Sequence, residues 1–228
     1  MEKNQHNIKA VIFDLDNTLI DFMKMKRLSC EEAVSAMIDA GLDMKKDDAL
    51  KRLFELYDKY GIEYKDIFQV FLQENTGKVD YKILSNGVIA YRRIKNGFLS
   101  PYPHVQNTLI ELKKRNLKLA IVSDAPRLRA WLRLATMRLS NFFDVVVTFD
   151  DTGQRKPSKV PFEAAISQLG LTPEEVLMVG DWPERDILGA KSLGMKTCFA
   201  KYGYSFGVAP KTEADYEISD VEELLKIV

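Results

Sequence analysis

Apolar and polar positions divide the chain into stretches of different period. Near the amino end, Ala10-Val11-Ile12-Phe13 is apolar without alternation and stops at Asp14-Leu15-Asp16-Asn17-Thr18. A short run that is apolar on both faces predicts a strand inside a parallel sheet covered by helices. From about Asp21 to Asn96 the period becomes helical. Cys30, Ala33, Val34, Met37 and Ile38 form one stripe; Leu50, Phe54 and Tyr57 a second; Tyr64, Ile67, Phe68, Phe71 and Leu72 a third; Tyr81, Leu84, Val88 and Tyr91 a fourth. Amphipathic helices of this kind bury their stripes against one another as a small bundle, and the aromatic residues in the stripes read as its core.

From Pro101 onward helix and strand patterns alternate. A helix over about 105–115 leads to a strand at 117–122, and a helical stretch through Trp131 leads to a strand at 143–148. A helix over 161–169 precedes a strand at 176–179, and a helix over 184–193 precedes a strand at 195–199. Alternation of this kind builds a parallel sheet with helices on both faces. The predicted architecture is therefore α/β: a Rossmann-like parallel sheet core made of residues 1–20 and 98–228, with an inserted α-helical bundle, a cap domain, over 21–97. Gly97, Pro101 and Pro103 punctuate the return from the insert.

Length and composition agree with one domain carrying an insertion. The chain has 228 residues, 46% of them hydrophobic and 29% charged, ordinary values for a water-soluble globular protein. No apolar run reaches membrane-spanning length, and Met1–Gln5 lacks the apolar core of a secretory signal, so a cytoplasmic location is expected. Lys+Arg and Asp+Glu both number 33, which leaves no net basic charge to drive sequence-independent nucleic-acid binding. Cys30 and Cys198 are too few for a disulfide framework or a zinc cage and read as reduced core residues. The two histidines, His6 and His104, make no HExxH; His6 reads as tail and His104 as a helix start. Glycine-rich dinucleotide and Walker patterns are absent from the sequence.

The candidate chemistry lies where the predicted strands end. Asp14 and Asp16 follow the first strand, Ser123 and Asp124 the second, Lys156 the third, and Gly180 and Asp181 the fourth. Strand alternation sends Asp14 and Asp16 the same way while Leu15 turns inward. Two carboxylates that close repel unless a cation lies between them or one holds a proton. Each motif alone has a structural reading, a helix cap or a solvated loop charge. Together they gather acids, a hydroxyl and a lysine at the carboxyl edge of one sheet, where ligands of such sheets bind. Asp181 with Asp14 suits a hard, oxygen-loving cation, for which Mg²⁺ is the expected choice. Lys156 supplies a point positive charge, and Ser123 with nearby backbone N–H groups can donate to phosphoryl oxygens.

With DLDNT at Asp14–Thr18, VSD around Ser123, RKPS around Lys156 and GDWPERD at Gly180–Asp186, the chain resembles the haloacid dehalogenase superfamily, in the phosphatase branch whose helical cap is inserted after the first motif. The resemblance runs from about Ile8 to Tyr202. It implies a Mg²⁺-dependent phosphatase of small metabolites, of the triose or sugar phosphate or phosphoglycolate class, with Asp14 as nucleophile and Asp16 as general acid and base. It further implies that Asp16 lends its backbone carbonyl to the metal, that Asp186 holds the metal shell, and that Ser123, Asp124 and Lys156 form the phosphate-binding part. An acid at Asp16 favours phosphoryl transfer over dehalogenation, because an alkoxide needs a proton and a halide does not. A phosphomutase uses the same groups and is the alternative; a non-catalytic binding protein comes last.

Trp182, where the family often has a small residue, reads as core packing. Asp124 adds negative charge beside a phosphate site, which calls for a base such as Arg127 or an orientation away from it. Cations near the ends of the insert, Lys24, Lys26, Arg27, Arg92 and Arg93, read mostly as solvated face. The expected partner is a small phosphate ester, with no nucleic acid and no membrane; the oligomeric state is not legible.

Overall fold

The computed structural model describes residues 8–228, so His6 and the segment Met1–Gln5 lie outside the described residues. The chain divides into two compact units. One takes the described residues up to Phe22 together with Ser100–Val228, and the other is Met23–Leu99.

The first strand, β1 (Ala10–Phe13), is wholly buried. Full burial of a Val, Ile or Phe side chain is worth roughly 1.5–3 kcal/mol, so this strand anchors the sheet. The chain then runs through α1 (Phe22–Asp39), α2 (Lys46–Tyr60), α3 (Ile67–Thr76) and α4 (Tyr81–Phe98). Their inward stripes share one core that includes Val34, Met37, Leu53, Leu56, Phe71 and Leu72. Asp80 starts α4 by accepting the Lys82 and Ile83 N–H groups at 2.9 and 3.3 Å, as a helix N-cap should. Two aromatics read from sequence as core face outward instead: Tyr81 is 77% exposed and Tyr64 is exposed as well. Tyr81 is the first residue of α4, where half a turn separates the stripe from the surface, and Ile83 takes the inward place. Lys26 corrects the reading the other way. It is buried, donating to the Tyr91 hydroxyl at 3.0 Å with its ammonium 3.9 Å from the Tyr57 ring centre.

After the insert, α5 (Val105–Lys114) leads to β2 (Lys118–Val122), and α6 (Arg127–Thr136) to β3 (Val145–Val147). Next come α7 (Phe149–Thr152), α8 (Lys159–Leu169) and β4 (Val176–Gly180). A wide helical turn, Pro183–Ile187, continues into α9 (Leu188–Lys191), followed by β5 (Lys196–Ala200) and β6 (Tyr216–Ile218). The strands lie in the order β3-β2-β1-β4-β5-β6, all parallel. Ala10 pairs with both Lys118 and Val176, so β1 sits between β2 and β4. From β1 the chain winds outward to β3 and then crosses back to β4, placing the switch of direction at β1, where such sheets bind ligands. His104 precedes α5 as its N-cap residue. No helix among the described residues is long and apolar enough to cross a membrane.

Candidate active site

The loop after β1 turns sharply because Asn17 adopts a left-handed backbone, φ 62°, a conformation asparagine tolerates better than most residues. Leu15 is fully buried, while Asp14 and Asp16 emerge at the carboxyl edge of the sheet. Two contacts from the segment after β5 brace this loop. The Tyr202 hydroxyl donates to the Thr18 carbonyl at 2.7 Å. Gly203 lies so close that a Cβ there would come within 1.7 Å of the Asn17 carbonyl oxygen. Only a residue without a side chain fits this approach.

Lys156 reaches the site from the loop before α8, and its ammonium donates to Asp14 Oδ1 and Asp186 Oδ1, both at 2.6 Å. Asp181, directly after β4, accepts the Thr18 hydroxyl at 3.1 Å. Asp186 folds back from the wide turn so that its Oδ2 accepts the Trp182 N–H at 3.0 Å. That return needs Gly180, where a Cβ would meet the Asp186 carboxylate at 2.3 Å. Asp14, Asp181 and Asp186 are all buried, and one oxygen from each lies within 4.8 Å of the others. Ser123, buried at the end of β2, donates its N–H to Val147 at 3.0 Å, and its hydroxyl oxygen accepts the Ala125 N–H at 3.2 Å.

The electrostatics follow from burying acids together. Burial pushes the Asp14 carboxyl up to about 7; Lys156 pulls it down, and Asp186 and Asp16 push it further up. Burial, with Asp14 and Asp186, likewise raises Asp181 well above the carboxylate range. Burial would lower the Lys156 ammonium, but Asp14, Asp186 and Asp124 outweigh it and hold the lysine charged above its usual range. Three buried carboxylates against one ammonium leave an excess of negative charge. A hard divalent cation with oxygen ligands is the natural complement of such a donor set, so these residues fit the Mg²⁺ implied by the motifs.

Two sequence readings are corrected here. Asp124 does not pair with Arg127: its Oδ1 accepts the Lys156 N–H at 2.9 Å and its Oδ2 the Arg185 guanidinium at 3.1 Å. Arg127 pairs instead with Asp151 at 2.6 Å. Both oxygens of Asp124 thus hold the Lys156 loop and Arg185, which makes it a support for Lys156. Trp182 is not core. It is half-buried, stacked with the Arg185 guanidinium 3.8 Å from one ring centre and Phe206 4.4 Å away between centroids. A residue missed from sequence also enters the site: Arg133 of α6, buried, donates to Asp16 Oδ2 at 2.5 Å.

The model of the haloacid dehalogenase-like hydrolase family matches residues 11–200, a span containing Asp14, Asp16, Ser123, Asp124, Arg133, Lys156, Asp181 and Asp186. The chain belongs to that family. Among its relatives is the glyceraldehyde 3-phosphate phosphatase of Methanocaldococcus jannaschii, 36% identical over 97% of both chains. Another is the protein of the same name from Pyrococcus furiosus, 34% identical over 97% of this chain and 93% of that one. The phosphoglycolate phosphatase of Aquifex aeolicus is 31% identical over 97% of both. Among solved structures, a phosphatase of this family from Thermococcus onnurineus superposes with a TM-score of 0.71 at 30% identity, covering 96% of this chain and 97% of that one. Family membership accounts for the order of the motifs along the strands.

Proposed function

We propose that the protein is a Mg²⁺-dependent phosphatase of small phosphorylated metabolites that works through an aspartyl-phosphate on Asp14. The observation that carries this reading is the Lys156 ammonium held between Asp14 and Asp186, with Asp181 beside them, at the carboxyl edge of β1 and β4. Nearly full-length relatives named as phosphatases support the reaction class, and those named for glyceraldehyde 3-phosphate make a triose phosphate the first substrate to try.

In the first step an Asp14 oxygen attacks phosphorus as the bond to the ester oxygen breaks, and Asp16 gives its proton to the departing alkoxide. In the second, Asp16 takes a proton from water, the water oxygen attacks phosphorus, and the bond to Asp14 breaks to release inorganic phosphate. Splitting one displacement in two is the gain from a covalent intermediate, and a positioned acid–base group adds about 10²–10⁴-fold. Lys156 and the Ser123 hydroxyl neutralise phosphoryl oxygens. The Asp14, Asp181 and Asp186 carboxylates, with the Asp16 backbone carbonyl, would hold the metal. A Mg²⁺ held there would supply positive charge to offset the repulsion between an anionic nucleophile and an anionic ester. Asp124 positions Lys156 by accepting its backbone N–H.

We read the helical insert as the family's cap, the part that chooses the ester, and the cytoplasm as the compartment, where thiols such as the buried, free Cys30 and Cys198 stay reduced. The test is phosphate release from glyceraldehyde 3-phosphate, phosphoglycolate, glycerol phosphate and sugar phosphates, with Mg²⁺ or excess chelator. Release that needs the metal and is lost in Asp14→Asn supports the reading. Isomerised sugar phosphate without free phosphate points to a mutase, and no turnover of any ester rejects the phosphatase.

A further inference from the structure

Helix α6 distributes its residues against expectation. Leu128, Trp131 and Leu132 face outward, 71%, 41% and 57% exposed, while Arg133 is buried between Ala130 and Leu134. Turning a guanidinium inward and apolar side chains outward costs hydrophobic burial and desolvation. A buried ion pair rarely repays that cost in stability, since a well-packed apolar pair of similar volume does as well or better. The inward arginine therefore calls for a reason in the site.

Its surroundings supply one. Arg133 Nη1 donates to Asp16 Oδ2 at 2.5 Å, across 117 positions of sequence. The Phe22 ring lies under the guanidinium, its centre 4.5 Å from Cζ. The arginine is thus fixed by its helix at one end and by an aromatic face at the other, and it holds one oxygen of a side chain that stands on a turn. Asp16 keeps 24% of its side chain accessible, against 4% for Arg133. An acid that must meet a leaving oxygen within a few tenths of an ångström gains from such a fixed partner.

Resting on the phosphatase reading above, we infer that Arg133 is the positioning residue for the acid–base Asp16, and that it matters in proportion to how much the leaving group needs a proton. It acts through Asp16, the carboxylate its guanidinium holds.

The test compares kcat/KM, which reports the steps through phosphoryl transfer to the enzyme, for β-glycerol phosphate and for p-nitrophenyl phosphate, with Mg²⁺. The alkoxide of the first needs a proton to leave, whereas the nitrophenolate of the second does not. Full-length wild type, Arg133→Gln, Asp16→Asn and the double variant are assayed side by side. The alkyl-to-aryl ratio is expected to fall at least about tenfold in Arg133→Gln, and to be the same in the double variant as in Asp16→Asn alone. A smaller fall overturns the inference, whether the absolute rates are kept or both are lost together, because a damaged fold lowers both esters alike. A further fall of the ratio in the Asp16→Asn background overturns it as well. A wild type silent on every ester removes the phosphatase reading itself, a failure visible before any Arg133 variant is compared.

Discussion

Neutralising Asp14, the proposed nucleophile, is expected to make the metal-free protein more stable, the opposite of the usual result at a buried position. Asp14 is buried with Asp181 and Asp186 around a single ammonium, and its carboxyl rises from 3.8 to about 7 in the fold. A group whose pKa is raised on folding contributes stability at low pH and loses it as pH climbs through the folded value. Without metal, the penalty on the folded protein at Asp14 therefore grows as pH rises from about 3.8 and is complete above about pH 7. Full ionisation against that shift corresponds to about 4 kcal/mol as a ceiling. Asp14→Asn removes the charge, yet Lys156 keeps its 2.6 Å bond to Asp186, so a net gain of about 1–3 kcal/mol is expected at pH 8. At pH 6 the folded Asp14 is largely protonated but the unfolded carboxyl is still ionised, so roughly two thirds of the penalty remains and the gain should shrink by about 1 kcal/mol. For a chain of this length, the pH 8 gain amounts to a rise in Tm of roughly 3–10 °C. The assay is thermal unfolding by circular dichroism in chelator at pH 6 and pH 8. A variant less stable than wild type at pH 8, or a difference that does not change with pH, would refute the reasoning.

The same carboxylates make metal binding compete with protons: the apparent Kd for Mg²⁺ should rise at least about tenfold between pH 8 and pH 6, and calorimetry showing a flat dependence would count against the carboxylate site. Lys156→Ala leaves Asp14 and Asp186 without the ammonium between them; we expect a loss of about 3–5 kcal/mol in urea unfolding without metal and phosphate release slowed at least about 10²-fold. Gly203→Ala drives a Cβ onto the Asn17 carbonyl. It should cost about 1–3 kcal/mol and lower kcat more than KM, and an unperturbed kcat would mean that the loop after β1 does not depend on this brace.

Much of the core was legible because each central strand is an uninterrupted apolar run that ends in a chemically distinctive residue. β1 and β4 are buried along their whole length, and an apolar run bounded by Asp or Gly carries that burial openly in sequence. β6 was missed for the converse reason: Tyr216–Ile218 is short, at the sheet edge, and buries only Ile218. The helix expected over 184–193 begins instead as the wide turn at Pro183–Ile187, which Asp186 needs in order to fold back onto Gly180. Arg133 was invisible because α6 carries several arginines and its apolar residues point outward, so periodicity selects the wrong face. Asp124 could be flagged as needing a base, but several arginines in the chain could answer that need. Choosing Arg185 over Arg127 requires knowing that the turn after β4 lies beside the loop after β2.

The central claim is that Asp14 carries the phosphoryl group in turnover, and rapid acid quench of the Mg²⁺-loaded protein with glyceraldehyde 3-phosphate, followed by peptide mass analysis, tests it most directly. The account predicts one added phosphoryl group on the peptide containing Asp14, transient in wild type and absent in Asp14→Asn. Phosphate released at full rate by Asp14→Asn, or a phosphoryl group found on another residue, would contradict it.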